Sequence, residues 1–146
     1  MKLRLAVAGD IAALTALLSS AFAEYVRGIG RDAPGPYDWL NDRVVAGDVT
    51  LAEHEAGGTP LGAVILSKDS DSRTLTVDML AVAPASQGRG VGHMLLDHAE
   101  VQARAAGCSN LHLHTVAKYE HLVRYYEAHG FAVSHQGPRP KGDDGY

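Results

Sequence analysis

The chain has 146 residues, 46% of them hydrophobic and 21% charged, with 13 basic and 17 acidic side chains and a formal net charge of −4. That length and composition suit one soluble globular domain, residues 1–146, with a real core. The acidic balance argues against a nucleic-acid surface, no apolar run approaches the roughly 20 residues of a membrane span, and a single cysteine, Cys108, excludes an intrachain disulfide.

The opening "MKLRLAVAGD" lacks the apolar stretch of a signal peptide, and a lone cysteine fits a reducing compartment, so a cytoplasmic location is expected. Within it "LRLAV" alternates, predicting a short strand with Leu3, Leu5 and Val7 on one face. Asp10 is placed to cap a helix whose apolar residues Ile11, Leu14, Leu18, Phe22 and Tyr25 recur at helical spacing. The Gly/Pro-rich "GIGRDAPGPYDW" breaks that helix, and a short one follows from Trp39 to Val45, ended by Gly47. "VTLAEH" and "LGAVILS" read as strands joined by the hairpin turn "EAGGTP". A long strand runs from Thr74 to Val82. The next helix turns Val91, Met94, Leu95 and Val101 inward and stops at Gly107. "LHLHTV" is again a strand. Leu122, Tyr125, Tyr126 and His129 then recur at helical spacing up to Gly130, and "FAVSH" begins a last strand. The order is β-α-α-β-β-β-α-β-α-β, a mixed α/β (α+β) sheet with helices on its faces. The strand–helix–strand unit in its middle predicts a parallel, right-handed crossover.

Between the long strand and the third helix stands "APASQGRGVG", where Gly88, Gly90 and Gly92 crowd a junction that one glycine would serve. Bare backbone N–H groups at a helix start can surround an anion, and the helix dipole favours its charge. The string is neither a P-loop, which needs G-x-x-x-x-G-K-[ST], nor a dinucleotide fingerprint, which needs G-x-G-x-x-G after the first strand.

"LAVAPASQGRGVGHMLL" resembles the first motif of the GNAT superfamily of N-acetyltransferases, with Gln87, Gly90 and Gly92 at its defining positions. "RYYEAHGF", Arg124 to Phe131, resembles that family's second signature, and the order of elements agrees. The resemblance implies a GNAT-like acyl-CoA N-acyltransferase fold and an acetyl-CoA-dependent enzyme, with transfer direct to a primary amine of a small molecule or protein. Its cosubstrate is acetyl-CoA and it needs no metal. His112 and His114 stand two apart on a strand with no carboxylate cluster beside them, which agrees.

By that resemblance, Gln87, Gly88, Arg89, Gly90, Val91 and Gly92 hold the pyrophosphate of acetyl-CoA, and the backbone of Leu80, Ala81 and Val82 holds the pantetheine arm. Tyr126 corresponds to the general acid that protonates the departing thiolate; read from the residues alone it is equally a core aromatic. For the general base, two residues stand out. Asp78 shares the alternation of Leu80 and Val82, and His114 lies on the next strand; each also reads as an ordinary polar residue. Tyr25, Tyr37 and Trp39 flank the connection that overhangs the acceptor in the family, so they are substrate walls or packing aromatics. Where relatives often carry Asn and a small residue ahead of the acid tyrosine, this chain has Tyr119 and Leu122. By the same resemblance the final strand of the family is expected to be cut short at "KGDDGY", which leaves "FAVSH" as an edge and leads to the expectation of a homodimer. A non-catalytic acyl-CoA-binding or sensing domain is the alternative to the enzyme.

Overall fold

The computed structural model describes residues 1–28 (side chains through Ala23), 37–68, 73–113, 124 and 126–128. The contacts divide the chain into two units, Met1–His112 and Leu113–Tyr146, and each is described by itself. The elements are β1 (Lys2–Leu5), α1 (Ile11–Gly28), α2 (Leu40–Val45), β2 (Val49–Glu53), β3 (Gly62–Lys68), β4 (Thr74–Val82), α3 (Val91–Ala105) and β5 (Asn110–Leu113). This is the expected order through the fifth strand. In the second unit Arg124 and Tyr126–Ala128 are helical, again as expected. "FAVSH", and with it the segment behind the homodimer expectation, lies outside the described residues.

The strands form one mixed sheet in the order β1-β2-β3-β4-β5. Consecutive strands from β1 to β4 pair antiparallel. The N–H groups of Ser109 and Asn110 both donate to the Arg73 carbonyl, at 2.9 and 3.1 Å, so β5 starts where β4 starts and runs along it.

The two faces of the sheet are covered unequally. Leu14, Leu17 and Leu18 of α1 and Leu40 and Val44 of α2 bury against Val49, Leu51, Ala63, Ile65 and Ala81. On the opposite face α3 lies over β3 and β4. Its buried residues are Val91, Gly92, Leu95, Leu96, Ala99 and Ala103, a stripe at helical spacing. Met94 is only partly buried, and Val101, expected inward, is 57% exposed because the stripe runs past it.

β1 corrects the alternation argument. Leu5 and Val7 are each 59% exposed. Register pairs Leu3 with Ala52 and Leu5 with Thr50, on the face where α3 packs mainly over β3 and β4. The other parity, Lys2 and Arg4, meets Glu53 and Leu51 on the α1 side. There Arg4 donates to Asp10 from both terminal nitrogens at 2.9 Å and to the buried Glu53 from Nε at 3.0 Å. Those hydrogen bonds, against a burial penalty, push the Asp10 carboxyl below its ordinary range. Asp10 is also not the cap itself. A single 3-10 turn, Ala8–Asp10, leads into α1, and the Asp10 carboxylate reaches back to the Val7 N–H at 2.8 Å.

Candidate active site

After Val82, Pro84–Ser86 form one 3-10 turn and Gln87 is extended. Gly88 (φ 79°) and Gly90 (φ 84°) then take left-handed backbone conformations that L side chains rarely adopt. An added Cβ at either would meet no protein atom within 4 Å, so conformation rather than crowding by the fold calls for glycine. Gly90 caps α3 without any side-chain hydrogen bond, and no acidic residue occupies the first turn. The first bond of the helix runs from the Met94 N–H to the Gly90 carbonyl at 3.0 Å. The N–H groups of residues 88–92 have no acceptor among the described residues. These donors lie at the positive end of a helix of 15 residues, where an anion such as a pyrophosphate is favoured.

Arg89 is exposed on the loop, beside a cleft of about 180 Å³ whose other walls include His54, Leu61, Ser86 and Val91. Gln87 turns its amide back toward the Val82 carbonyl, at a long 3.5 Å. Gly92 is buried in the first turn of α3, and Ala81 is buried while Leu80 and Val82 are half-buried at the end of β4.

The sheet beneath the loop depends on Gly62, which sequence reading passed over. A Cβ there would stand 2.8 Å from the Ala81 carbonyl oxygen, 2.8 Å from Val91 Cγ1 and 3.1 Å from Leu95 Cδ1. Only a glycine lets α3 lie this close to β3. A glycine opening an otherwise β-branched and apolar run is the signal that marks it.

Asp78 does not share the alternation of Leu80 and Val82. Register pairs Ile65 with Met79 but Leu66 with Val77, so Asp78 is the extra residue of a β-bulge with no partner in β3. Met79 and Ala81 pack into the α1/α2 core, while Leu80 pairs with Val64 on the α3 face. Asp78 instead reaches α2, where its Oδ2 accepts a 2.7 Å ion-paired hydrogen bond from Arg43. Burial opposes the charge on Arg43, but hydrogen bonds to Asp78 and Asp48 outweigh it and hold the guanidinium charged. Nothing in the sequence marked Arg43, since beyond Asp48 its partners, Leu66 and Asp78, lie 23 and 35 residues along the chain.

Tyr37 and Trp39 form an edge-to-face pair, with centroids 5.9 Å apart at 81°, packed on the α1/α2 core. Tyr25 falls near the end of α1, and its side chain is outside the described residues, as is His114. In the second unit Tyr126 is half-buried, while Arg124, Glu127 and Ala128 are exposed. Among the described residues no group of His, Cys, Asp or Glu is arranged to hold a metal ion, and no helix is long and apolar enough to cross a membrane. Cys108 is buried at the turn that ends α3.

A mixed sheet with a left-handed glycine turn between its fourth strand and third helix, capped by no side chain, defines the class of the domain as α/β with a helix N-terminus open beside the sheet. The chain matches the Acetyltransferase (GNAT) family over residues 12–131, and so belongs to that family. Mycothiol acetyltransferase of Jonesia denitrificans is 38% identical over 72 residues, 49% of this chain and 23% of its own. IAA acetyltransferase of Azospirillum brasilense is 32% identical over 85 residues, 58% of this chain and 56% of its own. These alignments span between about a quarter and just over half of the relatives. N-acetylglutamate synthase from Neisseria gonorrhoeae, solved with coenzyme A and N-acetyl-glutamate, superposes with a TM-score of 0.68 and 25% identity over 85% of this chain and 27% of its own.

Proposed function

We propose that this chain transfers the acetyl group of acetyl-CoA to a primary amine, as a single domain that includes both units, since the family match runs through both. The observation that carries the reading is the row of amides at the left-handed Gly88–Gly90 turn that have no acceptor among the described residues. In this reading residues 87–92 hold the pyrophosphate and the β4 backbone at Leu80–Val82 holds the pantetheine arm. The coenzyme A complex of the gonococcal synthase supports the choice of donor. The buried, unbridged Cys108 fits a cytoplasmic location.

The chemistry asks little more than positions and protons. The amine must be neutral, so its ammonium proton passes to a base; Asp78, His114 or water serves. The nitrogen lone pair then forms a bond to the carbonyl carbon, and the carbon–sulfur bond breaks. Tyr126 gives its phenolic proton to the thiolate, and the extra proton on the newly acylated nitrogen leaves to give the neutral amide and restore the phenol; with a phenol near pKa 10 and a thiol near 8.5, this works only where geometry favours the transfer. Tyr25, Tyr37 and Trp39 line the acceptor side.

Titration calorimetry with acetyl-CoA, followed by coenzyme A release over a panel of amines, tests the proposal. Binding with turnover on an amine supports it; absence of binding refutes it. The Asp78 carboxylate, already engaged by Arg43, favours a second reading, a non-catalytic acyl-CoA-binding domain. Tight binding with no acceptor turned over selects that one.

A further inference from the structure

We propose that Arg43 is a positioning residue for acetyl transfer, fixing the β4 bulge and thereby the Leu80–Val82 backbone that holds the pantetheine arm and, through it, the acetyl group. This deepens the acetyltransferase reading above and rests on it.

The β2–β3 ladder fails at Leu66. In an antiparallel pair, a hydrogen-bonded residue both donates to and accepts from its partner. The Leu66 N–H does donate to the Asp48 carbonyl at 3.0 Å. The return bond is missing, because the Asp48 N–H turns back to the Arg43 carbonyl at 3.1 Å to close the end of α2. Arg43 Nη2 takes its place, donating to the Leu66 carbonyl at 3.0 Å. The same nitrogen meets Asp78 Oδ2 at 2.7 Å, and Nε is held by Asp48 Oδ2 at 2.8 Å. One guanidinium therefore satisfies the oxygen left over beside the register break and the side chain of the extra residue that causes it. A planar fork of donors suits this task; a lysine ammonium cannot hold the same three acceptors in one plane.

Register is what the clamp protects. A slip of one residue in β4 would exchange the core-facing Met79 and Ala81 for Leu80 and Val82. The Arg43 and Asp78 side chains are half-buried, 27% and 25% exposed, so losing the clamp costs stability whichever role it has. A merely structural role would show in that loss alone and leave the bound thioester unchanged.

The test uses Arg43→Ala and Arg43→Lys, with acetyl-CoA labelled with carbon-13 at its carbonyl as the probe. The affinity for coenzyme A is expected to stay near that of the unaltered chain in both variants. The carbonyl resonance of the bound label is expected to move toward its free value. Turnover on the amine selected by the panel is expected to fall about 10- to 100-fold, the scale of a misplacement near 1 Å. Guanidinium added to Arg43→Ala restores part of the signal and rate, while Arg43→Lys restores neither. An unchanged carbonyl resonance and unchanged turnover in folded Arg43→Ala overturn the proposal; if that variant does not fold, the same result in Arg43→Lys does. Should the unaltered chain fail to bind acetyl-CoA, the acetyltransferase reading itself falls and the proposal with it, a result distinct from failure of the clamp alone.

Discussion

Replacing Gly62 by alanine perturbs the site from below without touching it. The new methyl would stand 2.8 Å from Val91 Cγ1 and from the Ala81 carbonyl oxygen. Carbon atoms rest about 3.5–4.0 Å apart, so one contact is short by roughly 0.7 Å or more. The oxygen belongs to the β3–β4 ladder and cannot yield, while Val91 and Leu95 are 2% and 0% exposed, with no room to turn. The relief must come from α3, whose first residue is Val91, lifting off the sheet. Overpacking of this kind costs about 1–3 kcal/mol, offset by about 0.4–1 kcal/mol because alanine restricts the unfolded chain. The lift also moves the amides of residues 88–92. Losing one charge-assisted hydrogen bond, about 1.5–3 kcal/mol, weakens coenzyme A binding by roughly 10- to 100-fold. Urea denaturation and titration calorimetry read the two effects separately. Gly9→Ala is the control, since Gly9 has ordinary φ and open space around it; it should leave affinity unchanged. Unaltered stability and affinity in Gly62→Ala would refute the packing argument.

Gly90→Val forces a β-branched residue to φ 84° at the N-cap of α3; calorimetry should show most acetyl-CoA affinity gone while circular dichroism shows the fold retained. Tyr126→Phe deletes only a hydroxyl, and turnover is expected to fall about 10²- to 10⁴-fold with donor affinity little changed; full activity would return Tyr126 to a packing role. Asp10→Asn removes an acceptor of Arg4 and of the Val7 N–H, costing about 1–2 kcal/mol at neutral pH in denaturant titrations. Because the folded Asp10 carboxyl titrates below its ordinary range, that contribution is whole above about pH 4 and is lost as pH falls through the depressed value. The gap between unaltered and Asp10→Asn chains should therefore close only in acid; a gap constant down to pH 2 contradicts the ion pair. Burial pushes His98 toward its neutral form, so both chains lose stability together as pH drops below about 6.5.

What the sequence by itself determined is local. Glycine is almost alone in accepting a left-handed backbone, so Gly47, Gly88, Gly90 and Gly107 mark the ends of α2, the loop and the end of α3 wherever the rest of the chain goes. The long strand expected from Thr74 to Val82 is likewise the observed span of β4. Only the tertiary structure decided which of two alternating faces is covered. Leu5 and Val7 obey the pattern of a buried strand, yet α3 packs mainly over β3 and β4 and they face outward. The bulge decided where Asp78 points, because one unpaired residue reverses the parity on which its expected direction depended. Gly62 and Arg43 acquire their importance from atoms more than 20 residues away, Val91 against the one and Leu66 and Asp78 against the other. A strand pattern records that residues alternate; how near a helix comes, and which side chain bridges a broken ladder, is settled only when the elements pack.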